Sequence, residues 1–316
     1  MKEELRKDWK LSVVIRDKWK YSFDGEIDFP RIIQFETHNY CNARCIMCPY
    51  ETVKDVVPHG FMEKELFKKI IDEIIDYNSN LQYELLPFMN NEPMLDERIS
   101  EFITYMKEKL PNAAVSVYTN GSYNSIQVWE KLLFAKPDSI VFSINSIEEK
   151  EYQRITGNLL LDITLRNLKH VLNEKNENGL TDVELMVHML RLNKSPQKLL
   201  TIMKYWKEFG VNCRTGYIEN RGGTLDIDSV GHDQNFLAPN KCWRVLVQIH
   251  IAYDGNVILC CGDWKREVVL GNLYKKSIYD IWNSQMYREI RKAHRDKKYD
   301  KLPQLCKKCN MKGNIM

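Results

Sequence analysis

Hydrophobic and polar positions along this chain follow two periodicities that take turns. A short β-prone run, Arg31-Ile32-Ile33-Gln34-Phe35-Glu36-Thr37, follows Pro30 and reads as a first strand. Over 62–77, Leu66, Phe67, Ile70, Ile71, Ile74 and Ile75 then recur at the three-four spacing of a helix with one buried face. The couplet repeats, with strands near 81–88, 113–118, 140–144, 182–190 and 211–218 and helices near 97–110, 125–134, 163–172 and 196–209. Strands alternating with helices predict a parallel sheet with right-handed crossovers, and six such units close only part of an eight-fold barrel. The expected fold class is α/β, a partial (β/α)6 TIM-like barrel.

From Asn220-Arg221-Gly222-Gly223 to Pro239 the periodicity fails and Gly, Asp and Asn accumulate, the mark of a linker. Beyond it, 245–253 and 256–259 flank Asp254-Gly255, a strong hairpin signal, and 277–297 reads as one helix. The expected organisation is an N-terminal extension over 1–29, the barrel over 30–220, a linker over 221–240 and a small C-terminal domain over 241–316. One hairpin and one helix bury too little for an ample core, so a metal staple is expected there.

Composition narrows the function classes. Of 316 residues, 44% are hydrophobic and 28% charged, close to globular averages. Lys plus Arg (46) barely exceed Asp plus Glu (43), with both signs interspersed, so neither nucleic acid nor an anionic membrane finds a basic footprint. No apolar run has the length of a signal peptide or a membrane span, and the expected compartment is the cytoplasm. In a reducing compartment, clustered cysteines read as metal sites rather than disulfides.

The cysteines are Cys41, Cys45, Cys48, Cys213, Cys242, Cys260, Cys261, Cys306 and Cys309. The first three form a C-x3-C-x2-C triplet in the loop after the first strand, where α/β folds place their chemistry. A structural zinc site wants four protein ligands, so a zinc knuckle here needs a distant partner such as His38 or His59. Three thiolates suit a 4Fe-4S cubane with one iron left open to an exogenous ligand.

Cys41-Asn42-Ala43-Arg44-Cys45-Ile46-Met47-Cys48 resembles the C-x3-C-x-Φ-C signature of the radical S-adenosylmethionine (radical SAM) superfamily, a family of partial (β/α)6 barrels. The resemblance covers residues 30 to about 220. It implies that Cys41, Cys45 and Cys48 hold a 4Fe-4S cluster, that S-adenosylmethionine binds its open iron, and that reductive cleavage yields a 5′-deoxyadenosyl radical. It further implies a reductant partner such as flavodoxin or ferredoxin. Met47 falls at the apolar position near adenine. Asn90-Asn91-Glu92-Pro93 is similar to a G-G-E-P stretch that meets the cofactor's amino group, with asparagines where glycines are usual; asparagine tolerates left-handed backbone. Thr119 after the third strand, and Ser143 and Asn145 in a stretch similar to S-I-D, belong to the same scheme. Tyr152-Gln153-Arg154-Ile155-Thr156-Gly157 is similar to a Y-x-x-I-R-G stretch in which Thr156 replaces the arginine, leaving Arg154 or Arg191 as substitutes.

Cys242, then Gly255 and Cys260 at G-x4-C spacing, then Cys306-x2-Cys309 are similar to the SPASM and shorter twitch extensions, which bind auxiliary 4Fe-4S clusters. The glycine spacing selects Cys260 over Cys261, and four ligands imply one auxiliary cluster; a four-cysteine zinc site is the competing reading. A cluster with four protein ligands has no open iron and serves as an electron acceptor. That is the dehydrogenase logic of the twitch enzymes, and the expected activity is oxidation of a small hydroxylated or amino-sugar-like substrate. Two other enzymatic readings stand beside it: an epimerase in which Cys213 faces the lumen and returns a hydrogen atom, and a ribosomal-peptide-modifying enzyme. A non-catalytic iron-sulfur or zinc protein is the reading from another class. His188 and Asp263 are candidate proton acceptors, and Trp243, Trp264, Tyr217 and Tyr253 candidate channel residues.

Overall fold

The computed structural model describes residues 26–192, 194–231 and 242–311. Most of the expected N-terminal extension and nearly half of the expected linker lie outside the described residues.

Six parallel strands build the barrel: β1 (Ile32–Phe35), β2 (Glu84–Leu86), β3 (Ala114–Thr119), β4 (Ser139–Ser143), β5 (Glu184–Leu190) and β6 (Asn212–Gly216). Their crossovers are α1 (Lys64–Asn78), α2 (Ile99–Lys109), α3 (Ile126–Phe134), α4 (Glu149–Thr156) with α5 (Leu161–Glu177), and α6 (Pro196–Phe209). The periodicity locates every barrel strand and every long helix. It misses α4, whose eight residues are mostly polar and bury only Tyr152, Ile155 and Thr156. The end signals of α6 are sharp: Ser195 accepts the Lys198 N–H as N-cap, and Gly210, at φ 96°, supplies the left-handed C-cap.

Side-chain parity along the strands separates two faces. Val115, Val117, Ile140, Phe142, Leu185 and Val187 belong to the core shared with the helices, where Trp129 of α3 stacks on Phe142 with ring centroids 5.2 Å apart. The alternate residues face the lumen. There Ser139 bonds Ser116 at 2.9 Å, and Val141 and Met186 pack with Tyr118.

The C-terminal segment does not form a detached domain. Its first strand, β7 (Gln248–Ile251), pairs in parallel with β1, and β8 (Asn256–Ile258) and β9 (Val269–Asn272) follow antiparallel. One nine-stranded sheet results, in the order β6-β5-β4-β3-β2-β1-β7-β8-β9. The expected hairpin turns at Asp254-Gly255, with Gly255 at φ 78°, but 244–247 is a helical turn that precedes the strand, and β9 is a strand the pattern does not predict. The single helix expected over 277–297 is two, α7 (Ile278–Trp282) and α8 (Gln285–Arg295). Ser284 breaks it by accepting the Tyr287 N–H as a fresh N-cap. A last short helix, α9 (Gln304–Lys308), carries Cys306.

Buried polar bonds tie the late strands to the barrel. Gln248 donates to Gln34 at 2.7 Å inside the sheet, and Trp282, fully buried, donates to the Ile27 carbonyl at 2.8 Å. Arg266 donates to Glu36 at the end of β1 (3.0 Å) and to Asp254 of the hairpin (2.9 Å). Burial pushes the Glu36 carboxyl up to about 7 against the pull of Arg266. A group whose native pKa is raised contributes stability below its unfolded value near 4.5, and that contribution is lost as pH rises through about 7. Arg266→Ala, which leaves the carboxylate buried without its cation, is therefore expected to cost on the order of 3 kcal/mol at pH 8 and clearly less at pH 5. Urea unfolding at the two pH values checks this; equal losses would remove Glu36 from the account.

Candidate cofactor and cluster sites

The Cys41–Cys48 loop leaves β1 at its carboxyl end and is clamped from two sides. Backbone N–H groups of Arg44 and Ile46 donate to Thr156 and Ile155 at the end of α4, both at 2.9 Å. Gly157 makes this approach possible: its φ is 80°, and a Cβ there would lie 2.7 Å from the Arg44 carbonyl oxygen. The Y-x-x-I-x-G stretch thus props the cysteine loop, while Arg154 itself lies exposed. On the other side, Asn120 donates to Asn42 (2.8 Å), and Asn42 donates to Ser122 (2.9 Å).

Burial pushes the Cys41 thiol up to about 12, with the Glu92 charge adding to it. Burial and the neighbouring charges of Cys48 and Cys41 raise Cys45 well above the thiol range. Burial likewise raises Cys48, with Arg221 working against it. Three such thiols persist as thiolates only against a compensating cationic centre, and sulfur donors in a short half-buried loop fit iron.

Glu92 joins the loops after β2 and β3. Its carboxylate accepts from Thr119 Oγ1 at 2.6 Å, from the Asn120 N–H at 2.7 Å and from the Met94 N–H at 3.1 Å, and burial raises it to about 7. Pro93 opens a 3-10 turn directly behind it. The asparagines at 90 and 91 do not use left-handed backbone, contrary to expectation: neither is among the positive-φ residues. Asn91 shapes the turn with its side chain, accepting the Met89 N–H at 2.9 Å, and the Asn90 N–H is turned to Glu36.

Met47 packs with Ile155, Leu192 and Ile218 in a small apolar cluster at the barrel mouth. Asn145 accepts the Leu190 N–H at 2.8 Å, which couples the ends of β4 and β5, and Ser143 lies level with His188. Gly216 keeps room for that imidazole, since a Cβ on it would come within 2.7 Å of His188 Nε2. Arg191 donates to Thr215 (3.0 Å) and to the Tyr217 hydroxyl (2.8 Å) at the same mouth.

Cys213 corrects the sequence reading. It lies level with Val187, on the helix-facing side of β6, and packs against the main core. The strand position that shares the lumen face with His188 is Arg214. The Asp263 carboxylate accepts the N–H groups of Glu267 and Val268, both at 2.9 Å, and holds that turn. Of the channel candidates, Trp264 lines a small cavity with Glu36, Tyr50, His59 and Asn90. Tyr253 is held by the Pro58 carbonyl and lies under Arg266.

The other cysteines lie in the C-terminal segment. Burial pushes Cys242 up to about 11 with a contribution from Cys309, and burial raises Cys306 with contributions from Cys242 and Cys309. Burial likewise raises Cys260, which feels Cys261, Cys242 and Cys306. The thiols at 242, 260, 306 and 309 thus lie within electrostatic reach of one another, and their donor set fits a second metal centre. The glycines that read as linker are contact points there. Gly222, at φ 65°, has Leu305 of α9 where its Cβ would project, and Asn220 and Asn310 exchange backbone-to-side-chain bonds of 3.0 and 3.1 Å.

A half-buried charge chain links the two thiol groups, and the sequence alone does not reveal it. Arg221, whose charge reaches Cys48, pairs with Glu219 at 3.5 Å; Glu219 pairs in turn with Arg244. Burial opposes the charge of Arg244, but Glu219, Cys261 and Cys242 outweigh it and raise its pKa. Nothing in the local pattern marks these residues as partners.

Comparison with known proteins agrees with this geometry. The Radical SAM superfamily profile matches residues 35–194, and the SPASM profile, an iron-sulfur cluster-binding domain, matches residues 242–310. The S-adenosyl-L-methionine-dependent 2-deoxy-scyllo-inosamine dehydrogenase of Niallia circulans is 22% identical over 287 residues, 88% of this chain and 92% of that protein. The crystal structure of BtrN in complex with AdoMet and 2-DOIA superposes with a TM-score of 0.61 at 19% identity, over 90% of this chain and 94% of that one. Streptococcus suis SuiB bound to its precursor peptide SuiA gives 0.65 at 13% identity, over 95% and 73%. At these identities the superpositions speak for the fold. The chain belongs to the radical SAM superfamily, as an enzyme that depends on S-adenosylmethionine and 4Fe-4S clusters and carries a SPASM-type auxiliary-cluster domain.

Proposed function

We propose that this enzyme dehydrogenates a small hydroxylated or amino-sugar-like substrate. Cys41, Cys45 and Cys48 would hold the cluster that binds S-adenosylmethionine, and Cys242, Cys260, Cys306 and Cys309 the auxiliary one. The observation that carries the reading is that those last four thiols lie within electrostatic reach of one another, a donor set that would leave a cubane no open iron. Similarity to a dehydrogenase over 88% of this chain supports it. When bound, the cofactors supply a 5′-deoxyadenosyl radical that removes a hydrogen atom from the substrate, and an acceptor for the electron left behind.

The chain's own residues do the rest. Met47, with Ile155, Leu192 and Ile218, offers an apolar wall at the mouth. Glu92 fixes the loops after β2 and β3 so that both keep one shape beside the cysteine loop. His188, on the lumen face beside Tyr118, would take the substrate's proton. The barrel, its linker and the C-terminal segment would act as one body, because β7 continues the sheet of β1. A flavodoxin- or ferredoxin-type reductant in the cytoplasm would feed the first cluster; no helix among the described residues is long and apolar enough to cross a membrane.

Anaerobic incubation with S-adenosylmethionine, a reductant and a panel of aminocyclitols and polyols tests the reading. One oxidised product is expected for each 5′-deoxyadenosine released. In heavy water the recovered substrate is expected to carry no deuterium, and Cys213→Ala is expected to turn over within about twofold of wild type, since that thiol faces the helix layer. Epimerised substrate carrying solvent deuterium would restore the Cys213 reading and sink this one. A panel left untouched while a precursor peptide is modified would move the activity to peptides.

A further inference from the structure

Away from both thiol groups, three side chains on the outer helix layer converge in a way the radical chemistry does not use. Glu130 projects from α3, and His170 and Glu174, one turn apart on α5, meet it. One ligating atom from each lies within 4.8 Å of the other two, and His170 Nε2 is 3.2 Å from Glu130 Oε1. All three residues are half-buried.

A hydrogen bond between His170 and Glu130 does not by itself account for Glu174. Among the described residues no lysine or arginine forms an ion pair with either carboxylate. Lys169 lies over the Phe209 ring at 5.6 Å, and Arg166 donates to Asn124 and Asn167. Even a protonated imidazole leaves two carboxylates with one positive charge between them. Glu174 is also oriented from behind, because Asn178 donates to its Oε2 at 3.2 Å and to its backbone carbonyl at 2.9 Å. An outer hydrogen bond of this kind fixes a ligating carboxylate and leaves its other oxygen free.

We propose that Glu130, His170 and Glu174 form a binding site for a divalent transition-metal cation, zinc in the first instance, that pins α3 to α5. Imidazole with two carboxylates is a donor set that suits zinc, whose bonds of about 2.0–2.2 Å require ligand atoms roughly 3–4 Å apart. The separations found need only small side-chain rotations to reach that range. Water completes the coordination on the solvent side. The site lies on the outer helices and takes no part in the radical step; its place is structural.

Zinc titration of the anaerobically reconstituted holoprotein, with its cysteine sites filled by iron, tests the assignment by calorimetry. Wild type is expected to take up one equivalent of zinc and to melt at a higher temperature with it than without it. His170→Ala and E174Q are expected to lose that equivalent and the shift, while melting as wild type does in zinc-free buffer. Asn178→Ala is expected to weaken uptake about tenfold, as loss of an outer-shell partner does. Wild type binding no zinc, or both ligand variants binding it as wild type does, would overturn the proposal.

Discussion

Alanine at Cys45 is expected to bring S-adenosylmethionine cleavage down to the uncatalysed background and to halve the iron content, from about eight to about four per chain, the difference between two 4Fe-4S clusters and one. Two thiolates do not hold a cubane that already lacks a fourth protein ligand. The loop is expected to survive the change. Its shape rests on backbone bonds from Arg44 and Ile46 to the end of α4 and on the Asn42–Asn120–Ser122 network, none of which uses the Cys45 side chain. Iron and sulfide analysis, electron paramagnetic resonance and 5′-deoxyadenosine release read the outcome together. Cleavage near the wild-type rate in this variant would remove Cys45 from the proposed ligand set.

Cys306→Ala separates the two halves of the proposed reaction. Iron is again expected to fall by about half, but 5′-deoxyadenosine release continues, while oxidised product drops to a few per cent of wild type or less. In the proposed reaction, abstraction requires only the cysteine loop after β1, whereas the electron leaves through the thiols at 242, 260, 306 and 309. Cys261→Ala is the matched control. Cys260 is the neighbour that feels both Cys242 and Cys306, so loss of Cys261 is expected to leave the iron count unchanged. Oxidised product forming at the wild-type rate in Cys306→Ala would refute the assigned electron acceptor and leave the first cluster's role intact.

Both variants probe groups that are close together along the chain or spaced by a recognisable motif, and such groups are legible in the amino-acid sequence. The C-x3-C-x2-C triplet, the apolar stripe of α1 and the Ser195 and Gly210 ends of α6 are each defined within a few turns of chain. Groups defined by distant partners leave no such trace. Arg266 and Glu36 are 230 positions apart, and Gln248 and Gln34 are 214 apart. Each reads locally as an ordinary polar residue. Glycines mislead for a related reason: Gly222 and Gly223 look like linker because conformational freedom and close approach favour the same residue.

By itself the sequence determined the α/β alternation, the three-cysteine loop at the carboxyl end of the first strand and the spacing of Cys242, Cys260, Cys306 and Cys309, because helical period, strand length and motif spacing are properties of neighbours along the chain. The tertiary structure alone decided that β7 lies beside β1, so that the auxiliary site and the barrel share one sheet. It alone decided which way Cys213 faces, since a strand presents alternate residues to opposite faces and only its register against β5 settles which face is the lumen. It also gathered Glu130 with His170 and Glu174, and Arg221 with Glu219 and Arg244. Charge and burial act through space, and folding sets those separations.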